Sequence, residues 1–249
     1  MYSLHPIVPA DVCDFVDACQ GNRPGGLGVE RGVAGFEWLR RDDSRGSDLV
    51  TSGLALFLAE RRPTFVFPDS SLSKWEASIE RGIGMYLRPP SRLFVDAGLE
   101  RELVQRLPIR LDGSGGMMGG SFIPAHLIEQ VSKVLDERLA QQLRRMVEAE
   151  IDAVATMGLM LDALEHARAN KTGLFEAADV IGPEMPGEYQ FVVASRDRLP
   201  KDVCKRLEHA AKPLSKPGVL KRMFGGRSTI QDAPAWPENG REPNEPPHP

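Results

Sequence analysis

The chain has 249 residues, 41% hydrophobic and 27% charged, with a formal net charge of −4, which is material for one large or two small cores. No apolar run approaches the roughly 20 residues that cross a bilayer, and residues 1–12 carry neither the cationic nor the apolar stretch of a secretory signal. Cys13, Cys19 and Cys204 form no CxxC pair, which argues against a disulfide framework or zinc site and fits reduced thiols in the cytoplasm.

In chain order, Val12, Phe15, Val16 and Cys19 stand at helical spacing and predict a short amphipathic helix over Pro9–Cys19. The glycines and proline of residues 21–28 predict a loop, and a second helix is expected from Ser47 to about Arg61. Thr64-Phe65-Val66-Phe67 reads as a buried strand ending at Pro68. Ser73 with Glu76 three residues later is a capping-box pattern that opens a helix to about Met85. Arg92–Val95 reads as a strand, Ala97–Leu107 as a helix and Pro108–Leu111 as a third strand. Strands alternating with helices over 10–20 residue connections imply a mainly parallel sheet flanked by helices.

Beyond the glycine-rich stretch 113–120, an apolar stripe from Leu127 to Val154 predicts one long helix, about residues 124–156. A further helix is expected over Leu159–Ala169, a short one from Thr172 to Val180, a strand over Tyr189–Val193 and a cationic helix over Pro200–Lys212. The last 22 residues hold six prolines and almost no aliphatic side chains, the composition of a disordered tail. The expected organisation is an α/β body over 1–227, divisible into 1–120 and 121–227, followed by a tail over 228–249.

Charge is unevenly placed. Residues 1–195 carry 20 Lys/Arg against 28 Asp/Glu, whereas residues 196–227 carry 10 against 3. Lys201, Lys205, Arg206, Lys212, Lys216, Lys221 and Arg222 therefore form a basic segment. It could meet phosphate backbones, an acidic protein surface or the acidic body of the chain itself. Phe224 is the only aromatic residue near it, so base stacking has no support.

Three expected strands end in aspartate, at Asp69, Asp96 and Asp112. Parallel neighbours would gather these carboxylates on one rim, where α/β folds place ligands and where Mg²⁺ or Mn²⁺ would find oxygen donors. Helix capping and turn formation account for the same residues without a metal. Asp69-Ser70-Ser71 resembles the first-strand signature of PIN-type nucleases, an Asp followed by a small hydroxyl residue, and that likeness implies metal-dependent phosphoester hydrolysis. Gly113, Gly115, Gly116, Gly119 and Gly120, ahead of a helix, could present amides to an anion, although the run matches neither the dinucleotide nor the Walker fingerprint. Ser71-Leu-Ser-Lys74 and Lys171-Thr172-Gly173 fit two motifs of penicillin-binding enzymes, but no Ser-Asp-Asn stands between them. His126 with Glu129, and Asp162 with His166, are each one helical turn apart and could share a metal, or could face solvent.

Two functional readings follow. The first is a non-catalytic assembly or adaptor protein without cofactor, self-associating through its long helix and docking a protein or nucleic acid through 196–227. The second is a hydrolase, PIN-like nuclease or phosphoesterase, with Mg²⁺ or Mn²⁺ on Asp69, Asp96 and Asp112.

Overall fold

Tyr2–Ile7 (β1) places polar Ser3 and His5 among apolar neighbours and contains Pro6, so its sequence hides a strand that nevertheless occupies the middle of the sheet. The computed structural model describes residues 1–95, 97–108, 117–182 and 189–211, within a unit spanning Met1–Pro213. A second unit, Leu214–Pro249, and with it the expected tail 228–249, lies outside the described residues.

The other strands are Thr64–Phe67 (β2), Met118–Ile123 (β3), Gly173–Ala178 (β4) and Phe191–Val193 (β5). Their order is β3-β4-β1-β2-β5. β1 runs antiparallel to β2 and β4, β3 runs antiparallel to β4, and only β2 and β5 are parallel. The sheet is thus mixed and mostly antiparallel, which corrects the mainly parallel expectation. β2 pairs with β1 only over Tyr2–Leu4, so Pro6 lies where β4 alone flanks β1 and a missing N–H is tolerated.

Pro9–Cys19 (α1) forms as its spacing predicts; Pro9 opens it and the Asp11 carboxylate caps the Val8 amide at 2.8 Å. The loop expected over 21–28 ends early, because Leu27–Arg40 (α2) is helical and packs against Arg45–Ala59 (α3). A Cβ at Gly28 would stand 2.6 Å from the Phe57 amide nitrogen, and one at Gly35 would stand 2.6 Å from that of Val50. These glycines let two helix backbones touch.

Arg92–Val95, expected as a strand, is part of a one-turn helix, Ser91–Val95 (α5). Pro89-Pro90 precedes it, and Phe94 wedges beside Phe15 and Phe36 with ring centroids 6.4 and 6.5 Å away. The helix expected from Ser73 is Leu72–Lys74 (α4), a widened turn over Trp75–Ile79 and a 3₁₀ turn over Arg81–Met85. Its cap is Ser71, whose Oγ accepts from the Lys74 amide at 2.9 Å. Arg101–Gln105 (α6) follows, and the third expected strand falls largely in residues 109–116, outside the described residues.

The single long helix over 124–156 is also corrected. A 3₁₀ turn, Ala125–Leu127, leads into Ile128–Glu137 (α7), Leu139–Glu148 (α8) and Ala153–Asn170 (α9). The apolar stripe advances by four residues and drifts around a straight axis, so one rod would carry it off the core. Breaks at Arg138 and at Ala149–Asp152 turn each segment back inward. Arg138 reaches the buried Glu80 carboxylate at 2.9 Å, Glu150 takes φ +58°, and the Asp152 carboxylate caps the Ala155 amide. α9 passes straight through Gly158, where a Cβ would meet Leu199 at 2.5 Å. It ends at Lys171 in the left-handed region, and the short helix expected from Thr172 is instead β4.

Helices cover both faces of the sheet. On one face Leu4, Phe65, Phe67 and Leu174 pack with α7, α8, α9 and Trp75. On the other, Ile7, Phe122, Phe175 and Ala177 pack with α1, α2, α3 and Phe94. Lys201–Ala211 (α10) lies on α8 and α9 through Val203 and Leu207.

Candidate binding surfaces

The acidic rim required three parallel strands. β2 is antiparallel to its central neighbour β1, and 91–95 is helical. Asp69 is exposed in the turn after β2, at the Tyr2 end of the sheet, where its backbone carbonyl accepts from Lys74 Nζ at 2.8 Å. Asp96 and Asp112 lie outside the described residues, and among those described no three His, Cys, Asp or Glu side chains are grouped as metal donors. Of the glycine run, Gly113, Gly115 and Gly116 also lie outside, while Gly119 and Gly120 belong to β3. The Gly119 amide donates to Thr51 Oγ1 at 2.9 Å, and a Cβ there would strike the Phe175 ring at 2.3 Å. This glycine serves packing between β3 and α3.

Ser71-x-x-Lys74 and Lys171-Thr172-Gly173 are not brought together. Leu72 meets Glu176, three residues along β4 from Gly173, about 10 Å at strand rise. His126 and Glu129 are both exposed. His166 stacks its ring edge-on to Phe65 at 5.6 Å; burial lowers its pKa, as does Arg62, and burial raises that of Asp162, so both are pushed towards neutrality.

Two titratable groups in the sheet were not legible in the sequence. His5 is buried beside α3 with Ser3 Oγ at 2.9 Å and Thr64 Oγ1 at 3.4 Å, and burial holds its pKa down to about 3. Glu176 is buried on the opposite face, where desolvation raises its pKa to about 8 against the opposing effect of the Leu72 amide that donates to Oε1. Period-two alternation with Leu4, Phe175 and Ala177 is the one signal that could have placed them in strands. A cavity of only about 10 Å³ adjoins Glu176, between Ser70, Ser71 and Met160, so the carboxyl is sealed from substrates. Burial also pushes the Cys19 thiol up to about 12, far from a reactive thiolate.

Among the described residues, two exposed surfaces stand apart from these buried groups. On α10, Leu207 is fully buried while Lys201, Lys205 and Arg206 are exposed. Nearby Arg196 is occupied by the Asp152 carboxylate at 2.9 Å. Lys212, Lys216, Lys221 and Arg222 lie outside the described residues.

The second surface is a groove of about 420 Å³ where β1 ends at Ile7, β3 ends at Ile123 and β4 begins at Gly173. Ile7, Pro9, Leu93, Val95 and Phe122 supply apolar wall; Arg88, Arg92 and His126 supply polar heads. Arg88 is fixed by a two-way backbone bridge to Phe122, each N···O distance 2.9 Å, and its Nη1 donates to the Met85 and Leu87 carbonyls. A Cβ on Gly173 would lie 2.5 Å from the Ile123 carbonyl oxygen, so only glycine lets β4 start this close to β3.

Among the described residues no helix is long and apolar enough to cross a membrane. Comparison with protein-family models, with curated proteins and with solved structures finds no match, so these surfaces stand on their own geometry.

Proposed function

We propose that this protein is a non-catalytic adaptor that docks an acidic surface of a partner protein on the outward face of α10. The observation carrying this reading is the division of that helix into a face that packs, through Val203 and Leu207, and a solvent face where Lys201, Lys205 and Arg206 outnumber Asp202 and Glu208. The excess of 10 cations over 3 acids across 196–227 points the same way. Residues 196–211 contain no Phe, Trp or Tyr on which bases could stack, which favours an acidic protein over a single-stranded nucleic acid. Exposed cations of this kind contribute little singly but steer association together, and their effect fades with salt.

The test is fluorescence anisotropy of the full chain with labelled poly-L-glutamate and, separately, with labelled single-stranded RNA. Poly-L-glutamate should bind, weaken as salt rises, and lose about tenfold or more in affinity in the triple variant Lys201→Glu/Lys205→Glu/Arg206→Glu with unchanged circular dichroism. Tighter binding of the RNA would replace the adaptor by a nucleic-acid binder. Binding indifferent to the triple variant would remove α10 as the docking face.

A further inference from the structure

We infer that the groove at the Ile7–Gly173 end of the sheet is a binding site for a small organic anion, an apolar body carrying one carboxylate or equivalent group. The inference is independent of α10, with which the groove shares no lining residue.

Its volume, about 420 Å³, lies within the range of roughly 300–1,000 Å³ in which proteins hold small ligands. The walls are sorted by chemistry. Ile7, Pro9, Leu93 and Phe122 offer apolar surface, and Val95 is 52% exposed although its neighbour Phe94 is fully buried. Burying such surface under a ligand is the favourable step.

The polar heads carry one sign of charge. Arg88 and Arg92 both line the groove, joined by His126, and no Asp or Glu does so among the described residues. Arg88 is already oriented by the Met85 and Leu87 carbonyls through one nitrogen, which leaves its other N–H groups to donate. Arg92, beyond Pro89-Pro90 in the short helix α5, has an exposed side chain with no hydrogen-bond or ion-pair partner among the described residues. A guanidinium presents a planar fork that matches a carboxylate with two parallel hydrogen bonds. An apolar floor edged by guanidinium groups, with no carboxylate beside them among the described residues, suits an amphipathic anion better than a cationic ligand of equal size.

The site is also built on anchored elements. Phe94 pins α5 between Phe15 and Phe36, so Arg92 and Leu93 project from a fixed turn. The backbone bridge ties Arg88 to the end of β3. The backbone that carries these side chains is therefore in place before a ligand arrives.

The experiment is calorimetric titration of the full chain with 2-naphthoate and with its neutral analogue 2-naphthamide. The carboxylate should bind about tenfold or more tightly than the amide. Arg92→Gln should cut that difference several-fold while leaving the amide unchanged, and Val95→Asp should weaken both. Arg92 and Val95 are exposed, so the variants should fold, which circular dichroism checks. Equal affinity for the two probes, or naphthoate binding that survives both variants, would overturn the proposal. So would displacement of naphthoate at much lower concentration by an acidic, leucine-rich peptide, which would make the occupant a protein segment.

Discussion

At the scale of single residues, His5 and Glu176 set how stability answers to pH. His5 ordinarily titrates at 6.5 and is held to about 3 in the fold, so the folded state binds fewer protons than the unfolded one between those values. Its contribution is lost as pH falls through that window. Glu176 moves the other way, from 4.5 to about 8, and its contribution is lost as pH rises from 4.5 to 8. Between 4.5 and 6.5 the two slopes oppose each other, which gives a flat region, with stability falling below it and again from 6.5 to 8. Glu176→Gln should abolish the alkaline limb and stabilise the protein at pH 9 by on the order of 2–4 kcal/mol, with little change near pH 4. Urea unfolding across pH checks this, and an unchanged alkaline limb would show that Glu176 is not its source. Neither residue announces itself in the sequence, because burial of a His or Glu depends on which chains cover it.

At the scale of elements, close approach and interruption did most to separate expectation from outcome. Gly28 falls in the loop expected over 21–28, whereas Gly53 falls inside the helix expected from Ser47 to about Arg61. In the fold their value lies in what they lack, since backbone atoms of the facing helix stand where side chains would be. Gly35→Ala gains intrinsic helix propensity of about 1 kcal/mol, yet it places a methyl 2.6 Å from the Val50 nitrogen and 2.8 Å from the Gly46 carbonyl oxygen. Neither backbone can yield cheaply. We expect a net loss of about 1–3 kcal/mol in a denaturation experiment, and a stabilised variant would refute the close-packing account. The broken path of α7, α8 and α9 makes the same point from the other side. No proline or glycine stands between Ile128 and Ala153, so the stops come from tertiary demands: Arg138 is drawn to buried Glu80, and Asp152 serves both the Ala155 amide and Arg196.

At the scale of the whole molecule, the sheet belongs to two cores at once. Along β4, Leu174 packs on one side and Phe175 on the other, and β1 divides Leu4 from Ile7 in the same way. Neither core can dissolve without stripping the strands from the other, so Met1–Pro213 should unfold as a unit. Native-state hydrogen exchange should give the slowest amides of α3 and α9 the same opening free energy within about 1 kcal/mol. A gap of several kcal/mol would show that the two faces melt separately.

What the order of amino acids determined unaided is local. The apolar spacing of α1, the β-branched and aromatic run of β2 and the amphipathic charge pattern of α10 are each readable within a dozen residues, because hydrogen bonds and side-chain periodicity act over that range. Strand direction, the identity of β1 and β4, the helical state of 91–95 and the groove were decided by tertiary structure. Each depends on partners far apart in sequence, as when Leu4 meets Glu176 across the sheet or Arg88 meets Phe122 at its edge, and no local pattern encodes which distant segment will arrive.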